Sequence, residues 1–462
     1  MSVPHYRKAM AAALAAGLGF SLAACSTKSN DDSSSKSNAG GKVTISVDCQ
    51  PDNSQKDLQK DWNDDVTAFE AANPNITIKS VSVGQQCDNP PDFTARLTGG
   101  TETDVFYAYM TDVQQVLDSG QAMDITQYAT KDNIPTWDDI DPQAKAIFQD
   151  GGKQYAIPTK NYSMGLLYNK TLFTKAGLDI NNPPKTWADV RAAAKKIAAL
   201  GKGIAGYGDY SAGNTGGWHY TAELYSQGGQ MLSDDSKKAD FNNPQGKQVL
   251  QNLKDMRFTD NSMGTRQLLQ WPDLLTLAAS NKVGMLIGAP DVTTAIVTQF
   301  KGKYQDWAMG PMPGQDGPAK ATLGGGEGYF FKKGLTPDQV KAGLKWLAFE
   351  KLTPGKGQFD YARAKPQNQP VGLPEPQLFT NGSPSATQEQ SDRKANANLP
   401  AENFALFEQN PVPIKVEPKN AQAIYAVLDS AMSSVLTKPN ANVDQLLSTA
   451  ETKVNSLMAS GS

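Results

Sequence analysis

Histidine and cysteine, which supply most zinc ligands and many nucleophile–base pairs, are scarce in this sequence. Of the two histidines and three cysteines, only His219, Cys49 and Cys87 lie beyond Cys25. A zinc site of the Cys/His type needs several such ligands, and a Ser-His-Asp arrangement could use only His219. No Gly-x-Ser-x-Gly sequence is present. We therefore expect neither a metal site of this type nor a serine-hydrolase centre.

Carboxylates and glycine-rich segments are the other residues that could carry chemistry. The 47 acidic residues allow a pair about 5–10 Å apart, as glycoside hydrolysis requires, but no spacing singles out one pair. Gly201–Gly206 matches G-x-G-x-x-G, yet it closes a predicted helix instead of opening one after a strand, so we interpret it as a turn. Gly324–Gly328 lacks the Lys-Ser/Thr of a phosphate loop. It is predicted either to let the backbone approach a ligand closely or to form a tight bend.

The N-terminus has the pattern of an export signal. A short charged region precedes the apolar run Ala9–Phe20, and Leu22-Ala-Ala-Cys25 follows. The run is shorter than the roughly 20 apolar residues of a spanning helix. Leu-Ala-Ala-Cys resembles the lipobox of bacterial lipoproteins, which implies cleavage before Cys25 and lipidation of its thiol. An ordinary secretory signal is the alternative.

The segments predicted from this pattern are a signal peptide at 1–24 and a lipidated cysteine with a tether at 25–41. The tether is nearly all Ser, Asn, Asp, Lys and Gly, a composition that buries too little apolar surface to fold. We expect an exported protein anchored to the outer face of the cell membrane. Export favours a disulfide between Cys49 and Cys87. Each cysteine follows a predicted strand, and neighbouring parallel strands would bring the two together. Two free thiols are the alternative.

The composition of the whole chain is that of a soluble globular protein, with 39% hydrophobic and 20% charged residues. The net charge of −3 gives no reason to expect nucleic acid or an anionic membrane surface as a partner. A length of 462 residues allows two or three domains.

The first part of the folded region alternates strands and helices. The predicted order is strand Val43–Asp48, helix Lys56–Ala72, strand Ile76–Val83, helix Phe93–Leu97, strand Asp104–Ala108 and helix Asp112–Asp118. Such alternation predicts βαβ units and a mostly parallel sheet. Ligands bind beyond the carboxyl ends of such strands, where Asp48–Asp52 and Tyr109–Asp112 lie.

The stretch Tyr155–Gly177 is predicted to cross between two packed units. Its extended segments Tyr155–Pro158 and Met164–Tyr168 are separated by a polar break at 159–163, and a helix then ends at Gly177. We interpret the break as a hinge that lines a binding site; an ordinary surface loop is the alternative.

A second α/β unit follows this crossover. Thr186 begins a helix with a capping box, and Tyr207–Tyr220 is predicted to be a glycine-rich loop whose aromatic residues offer a stacking surface. The alternative is that Trp218 packs back on its own unit. The region 355–418 is predicted to hold short helices at most, before two C-terminal helices.

Several short segments resemble the extracellular solute-binding proteins of ABC transporters (family 1), in the group that binds sugars. They are Phe69–Asn75, Thr103–Ala108, Tyr155–Pro158, Leu166–Lys170, Pro183–Trp187 and Val283–Pro290. The resemblance implies a two-lobed α/β fold of the periplasmic-binding-protein type (type II). Each lobe would be a mostly parallel sheet flanked by helices, with the ligand cleft between the lobes. The expected lobes are 42–158 plus 310–352 and 159–309 plus 353–462.

The resemblance also implies a set of ligand-binding residues. They are Gln50, Asp52, Tyr109, Thr111, Asp112, Lys160, Asn161, Tyr162, Trp218, Tyr220, Asp291, Gly325, Glu327 and Arg363. Two positions depart from the family pattern. Asp291 stands where relatives often carry an aromatic residue, and Gly326 stands where many have tryptophan.

The function implied is capture rather than catalysis. A monomer without cofactor would bind an oligosaccharide in the di- to tetrasaccharide range between two closing lobes and deliver it to a membrane permease. Hydroxyls would meet carboxylates, amides and lysine, while sugar faces would stack on aromatic rings. The alternatives are an exported glycoside hydrolase and a binding protein for a non-sugar solute such as a polyol phosphate or a peptide.

Overall fold

The computed structural model describes residues 41–83, 87, 90–212, 215–375 and 377–460. The predicted signal peptide, Cys25 and the tether up to residue 40 lie outside the described residues. Lys42–Ser462 forms one compact unit. No helix in the described part of the chain is long and apolar enough to cross a membrane.

The described residues form strands and helices in the following order. The strands are β1 (Val43–Val47), β2 (Ile76–Ser80), β3 (Val105–Tyr109), β4 (Gln149–Asp150), β5 (Lys153–Gln154), β6 (Ala156–Ser163), β7 (Gly165–Asn169), β8 (Ala205–Tyr207), β9 (Val283–Gly288), β10 (Trp307–Pro311), β11 (Thr322–Phe331) and β12 (Ile414–Lys415). The helices are α1 (Lys56–Ala72), α2 (Pro90–Gly99), α3 (Val113–Ser119), α4 (Pro142–Ile147), α5 (Lys170–Lys175), α6 (Trp187–Ala198), α7 (Thr215–Ser226), α8 (Pro244–Phe258), α9 (Trp271–Ala279), α10 (Asp291–Thr298), α11 (Pro337–Lys351), α12 (Tyr361–Ala364), α13 (Pro384–Asn396), α14 (Ala405–Gln409), α15 (Ala421–Thr437) and α16 (Val443–Ser460).

Two sheets organise this α/β fold, and both are mixed rather than mostly parallel. In the first, β2, β1 and β3 are parallel as predicted, while β11 runs antiparallel to β3 and β6 and parallel to β12. In the second, β7 is antiparallel to β9 and β10, and β8 is parallel to β9. The antiparallel pairing of β6 and β11 has a simple cause. The chain leaves the first sheet along β6 and returns along β11, so the two strands run in opposite directions.

Each sheet has its own buried core. In the first, Trp62 and Phe69 of α1 contact Trp346 of α11 edge-on, with ring centroids 5.3 Å apart. In the second, the fully buried residues Leu166 and Met285 lie on neighbouring strands and pack in one cluster with residues of α6, α8 and α15. Each sheet therefore has buried residues of its own within the compact unit Lys42–Ser462.

The crossover differs in one respect from its prediction. Residues 159–163 do not break the strand, because β6 continues through them and pairs with β11 as far as Ser163. Only Met164 separates β6 from β7 of the second sheet. Within this polar stretch the half-buried Lys160 and Tyr162 alternate with the buried Thr159, Asn161 and Ser163, as expected for a strand whose two faces meet different surroundings. Gly177 follows α5 with φ of +67°, as its predicted helix-ending role requires.

The glycine cluster 324–328 is neither a loop nor a bend, because it lies inside β11. A Cβ atom at Gly326 would lie 2.5 Å from the carbonyl oxygen of Lys160 in β6. The glycines therefore let two backbones approach closely, and the close neighbour is a strand of the same sheet.

Cys49 and Cys87 form a disulfide, with their Cα atoms 4.9 Å apart. This confirms the predicted pairing. Cys49 follows β1 with a φ of +66°, and the link fastens the segment after β2 to the end of β1.

A further correction concerns the late region. Residues 355–418 hold the 13-residue helix α13, longer than the short helices expected there. Ser383 caps its N-terminus by accepting a hydrogen bond from the amide of Ala386, and Pro384 occupies its first turn.

Candidate functional site

Strand register brings three predicted site residues into one row across the first sheet. Glu327 of β11 lies directly opposite Tyr109 of β3 on one side and Lys160 of β6 on the other. Directly opposed residues project from the same face with Cβ atoms roughly 4.5–5.5 Å apart. The hydroxyl of Tyr107, two residues before Tyr109 on β3, donates a hydrogen bond to Glu327 Oε2. The row thus has a phenol, a carboxylate and an ammonium side by side.

A second row lies next to the first, at Tyr162 and Gly325. Tyr162 lies two residues beyond Lys160, so it projects from the same face of β6, and it pairs with Gly325 of β11. A side chain at Gly325 would overlap the sulfur of Met110 and crowd the Tyr162 ring. Gly325 therefore contributes space for these two neighbours.

Glu417 connects this row to the second sheet's helices. Its Oε1 accepts hydrogen bonds from the indole Nε1 of Trp218 at 3.2 Å and from the hydroxyl of Tyr162 at 3.4 Å. Burial raises the pKa of Glu417 to about 7; the neighbouring hydroxyl of Tyr425 and the donors Trp218 and Tyr162 partly oppose this rise, and the nearby charge of Asp112 adds to it. One carboxylate therefore joins β6 to α7.

An aromatic wall in the second core consists of Trp218, Tyr210 and Trp271. Trp218 lies on helix α7, not on the predicted loop, because that helix begins at Thr215. The ring of Tyr210 lies 6.2 Å from Trp218 and 4.9 Å from Trp271, between centroids. A Cβ at Gly217 would collide with the backbone of Tyr425 in α15, so the glycine lets α7 seat closely and fixes where Trp218 emerges.

A buried polar pair stands behind this wall. His219 Nδ1 is hydrogen-bonded to Asp209 Oδ1, and both side chains are buried. The ring of His219 contacts Tyr210 with centroids 4.2 Å apart. Burial lowers the pKa of His219 to about 3, so the imidazole is neutral at physiological pH and serves to hold the wall.

Glu375 is the closest carboxylate to Lys160. Its Oε2 lies 3.6 Å from Lys160 Nζ. Burial raises the pKa of Glu375 to about 8; Lys160 opposes that rise, and Asp291 and Glu327 reinforce it. Burial alone would lower the pKa of Lys160, but the surrounding carboxylates, led by Glu375, outweigh it and raise that pKa.

Asp291 reaches this group from the second sheet. It begins helix α10 directly after β9 and the Gly-Ala-Pro turn. Its charge acts on Lys160, on Glu375 and on the hydroxyl of Tyr210. Residues of both sheets thus share one electrostatic cluster.

The predicted residues Gln50, Asp52, Thr111 and Asn161 make local contacts. Gln50 donates from Nε2 to Asn63, and Asp52 accepts from the amide and hydroxyl of Ser54, which lower the pKa of Asp52. Thr111 donates to the neighbouring Asp112. Asn161 is buried, and its Oδ1 accepts from the amide of Tyr162.

The structure does not bring Tyr220 and Arg363 to the cluster. Tyr220 is fully buried in the second core, where its hydroxyl donates to the carbonyl of Phe241. Arg363 forms a bidentate ion pair with Asp65 of α1, both N–O distances being 2.8 Å. Tyr220 points away because it lies on the core face of α7, two residues beyond Trp218. Arg363 is engaged because α12 packs beside α1.

Sequence analysis missed several residues of this cluster. Those it did not name are Tyr107, Tyr210, Trp271, Glu375 and Glu417. The two glutamates lie in irregular backbone beside prolines, Pro374 and Pro418. An acidic residue next to proline in a long non-periodic region was the available signal.

The arrangement suits a ligand with hydrogen-bond donors and flat apolar faces. Carboxylate oxygens of the first row accept hydrogen bonds, and the half-buried rings of Trp218 and Trp271, backed by the buried ring of Tyr210, offer a stacking surface. No group of three His, Cys, Asp or Glu side chains that could hold a metal ion occurs among the described residues.

Comparisons with known proteins agree with this fold. The solved structure of a cyclic alpha-maltosyl-1,6-maltose binding protein from Arthrobacter globiformis superposes with a TM-score of 0.71 at 22% identity, covering 90% of this chain and 99% of that one. A Mycobacterium tuberculosis protein in complex with glycerophosphocholine has a TM-score of 0.70 at 16% identity, covering 91% and 99%. The two-lobed periplasmic-binding-protein fold predicted from the sequence is thereby confirmed.

Sequence comparisons point to the same class. An sn-glycerol-3-phosphate-binding periplasmic protein of Brucella abortus is 27% identical over 210 residues, which is 43% of this chain and 45% of that protein. The chain spans about half the length of the curated relatives it matches. The family model described as bacterial extracellular solute-binding protein matches residues 52–352. The chain therefore belongs to the bacterial extracellular solute-binding protein family.

Proposed function

We propose that this protein is the cell-surface substrate-binding component of an ABC importer and that it captures a carbohydrate. The observation that carries the proposal is the shared carboxylate of Glu417, which accepts hydrogen bonds from Tyr162 of the first sheet and Trp218 of the second core. A polar row and an aromatic wall meet at this point. Sugars present both hydroxyl groups and apolar C–H faces, so such a junction matches them.

The ligands named for relatives support carbohydrate more than any other class, although they are diverse. The Arthrobacter globiformis protein is named for a cyclic maltosyl-maltose, and the Brucella abortus protein for sn-glycerol 3-phosphate. In this chain the single lysine of the row, Lys160, is already paired with Glu375. A phosphate group would find that cation occupied, so a saccharide without an anionic group fits the row better than a phosphate ester.

The proposed lobes are 42–158 plus 310–352 and 159–309 plus 353–462. They are supported by the two separate sheets and by the short connection at Met164 between β6 and β7. Hinge bending at such connections closes lobes around a ligand and shifts the population toward the closed form. The closed form is what a permease would recognise, with the protein acting as a monomer and without catalysis.

The proposed anchor is a lipid on Cys25, followed by the tether to residue 41. It is supported by the lipobox-like Leu-Ala-Ala-Cys and by the low-complexity composition that follows. The protein would then lie on the outer face of the membrane, within reach of the permease. The proposed ligand length, two to four sugar units, is supported by the number of aromatic residues, Tyr109, Tyr162, Trp218 and Trp271, that lie along the cluster.

A thermal-shift screen of Lys42–Ser462 against mono- and oligosaccharides tests the proposal. A ligand that binds only the folded state stabilises it by about 2.7 kcal/mol at 100 times its Kd, so at least one oligosaccharide raises Tm. Chromatography of the same mixtures shows the saccharide unchanged. A flat screen contradicts the carbohydrate assignment, and released monosaccharide contradicts the binding role.

A further inference from the structure

Carboxylates outnumber cations in the cluster that we propose binds saccharide. The acidic side chains whose charges act on Lys160, Glu375 or Glu417 are Asp112, Asp291, Glu327, Glu375 and Glu417. Lys160 is the cation that faces them, and its Nζ lies 3.6 Å from Glu375. When these carboxyls are ionised, one ammonium cannot balance their charge, and without a ligand burial keeps part of them protonated.

Glu375 has a buried acceptor atom without a partner. Its side chain is 6% exposed, and its Oε1 accepts no hydrogen bond from the described part of the chain. A buried carboxylate oxygen without a donor is costly, so this oxygen is an acceptor that a bound molecule would satisfy. The Glu417 carboxylate differs, because the hydroxyl of Tyr425 lies against it and acts on its pKa together with Trp218 and Tyr162.

The two glutamates contact neighbouring positions of one strand. Glu375 contacts Lys160 and Glu417 contacts Tyr162, and these two residues of β6 project from the same face. The acidic partner of Lys160 and the junction with Trp218 therefore lie on the same side of the sheet.

A hydroxyl and an ammonium satisfy a buried carboxylate oxygen differently. A hydroxyl supplies a hydrogen bond but leaves the local excess of negative charge in place. An ammonium supplies donors and positive charge together, and charge-assisted hydrogen bonds are about twice as strong as neutral ones. A phosphate or carboxylate on the ligand would add to the repulsion.

We propose that the ligand is a saccharide that carries a protonated amine, seated against Glu375 and the neighbouring carboxylates Glu327 and Asp291. This inference rests on the proposed carbohydrate-binding function and names the chemical class of its ligand. Trp218 and Tyr162 then receive the apolar face of an adjoining ring. Lys160 remains paired with Glu375, and the surrounding carboxylates repel anionic ligands.

Proton linkage follows from the same geometry. Without ligand, burial holds the pKa of Glu375 at about 8, so this carboxyl is mostly protonated at pH 7. The charged groups facing it are Lys160 of β6, Glu327 of β11 and Asp291 of α10. A bound ammonium favours the ionised form, so binding releases a proton at pH 7, and affinity rises with pH up to about 8 while the amine stays protonated.

Calorimetric titration of the exported chain with matched saccharides tests the inference. The probes are glucosamine, galactosamine and the β-1,4-linked dimer and trimer of glucosamine, each against its N-acetyl and its hydroxyl counterpart, with sn-glycerol 3-phosphate as the anion. At least one amine-bearing sugar binds ten-fold or more tightly than both counterparts. Repetition in buffers of different ionisation enthalpy shows a released proton. The anion does not bind.

The variant Glu375→Gln removes the preference for the amine and the proton release. Its matched control, Glu350→Gln, replaces another buried glutamate, 5% exposed and packed beside Lys351 in the first core, and keeps both. If the Glu375→Gln variant does not fold, proton release on binding to the unaltered protein still tests the inference: release supports it, and binding without release overturns it.

The outcomes distinguish this inference from the proposed carbohydrate-binding function on which it rests. Equal binding of amine and hydroxyl sugars, or tight binding of the anion, overturns the inference. In the first case the carbohydrate assignment stands. Absence of binding by every saccharide overturns both.

Discussion

The indole Nε1 of Trp218 donates a 3.2 Å hydrogen bond to Oε1 of Glu417, 199 positions along the chain. The same oxygen accepts from Tyr162. This contact gives the aromatic wall a fixed position relative to the polar row. The ring of Trp218 is half-buried, so part of its face is open to a ligand.

Replacing Trp218 by alanine is expected to weaken saccharide binding about 30-fold. Loss of a central tryptophan typically costs about 2 kcal/mol or more of binding free energy, which corresponds to a factor of roughly 30. Calorimetry on Trp218→Ala measures the change. The matched control is Trp137→Ala, whose ring stacks under Lys145 in the first lobe, and whose loss leaves affinity unchanged. Equal affinities of the Trp218 variant and the unaltered protein would remove the aromatic wall from the site.

Arg363 is expected to stabilise the fold without contacting the ligand. Its bidentate pair with Asp65 joins α12 to α1, and the Asp65 side chain is 10% exposed. Breaking a buried pair by removing one partner costs roughly 3 kcal/mol, so Arg363→Ala lowers the free energy of unfolding by about that amount. Urea denaturation measures the loss, and titration shows an unaltered Kd. A large loss of affinity in a folded Arg363→Ala protein would restore the ligand-contact role that the resemblance implied.

The disulfide between Cys49 and Cys87 is expected to contribute about 4 kcal/mol. It closes a loop with a sequence separation of 38 residues, for which chain entropy alone predicts this order of stabilisation. Reduction with a thiol is expected to lower the urea midpoint. The double variant Cys49→Ser with Cys87→Ser is expected to lower the midpoint to the same extent. Unchanged midpoints after complete reduction, verified by mass spectrometry, would contradict the prediction.

Stability of the ligand-free protein is expected to fall as pH rises from 6.5 to 8. Burial raises the pKa of Glu223 to about 8 and that of Glu375 to about 8, so the folded chain keeps protons that the unfolded chain has lost. Each such group lowers the free energy of unfolding by up to about 1.4 kcal/mol per pH unit in this window. His219, whose pKa burial lowers to about 3 from 6.5, opposes this trend only below that window.

Urea midpoints measured across this pH range test the sign. Glu223→Gln removes one titrating group from the second core, where Tyr207 donates to its Oε1 at 3.2 Å. The variant therefore has a shallower decline than the unaltered protein. A midpoint that rises with pH in both proteins would show that these carboxyls are ionised in the folded state.

Regular patterns made much of the fold predictable. Helix α1 has the predicted ends, Lys56 and Ala72, because its apolar residues keep helical spacing. Thr186 and Asp189 form the predicted capping box. Lys160, Tyr162 and Trp218 come from the family resemblance, because the sequence pattern predicts a break and a loop where the structure has β6 and α7. Strand direction was less predictable, since an antiparallel return such as β11 depends on a partner far along the chain.

Other parts of the site depend on contacts that leave no periodic pattern. Glu375 and Glu417 lie in irregular backbone beside prolines, and their positions follow from packing against β6 and α7. Residues 159–163 were interpreted as a break because of their polarity, whereas pairing with the glycines of β11 keeps them extended. The family resemblance implies a ligand contact at Tyr220, but the turn of α7 directs that side chain into the core.

Equilibrium titration of Lys42–Ser462 with a saccharide panel, read by calorimetry and tryptophan fluorescence, tests the central claim most directly. We predict saturable one-to-one binding of at least one oligosaccharide, with quenching of tryptophan fluorescence that Trp218→Ala abolishes and with no change in the sugar. Binding of none of the panel, or hydrolysis of a saccharide that a single carboxylate substitution abolishes, would contradict the account.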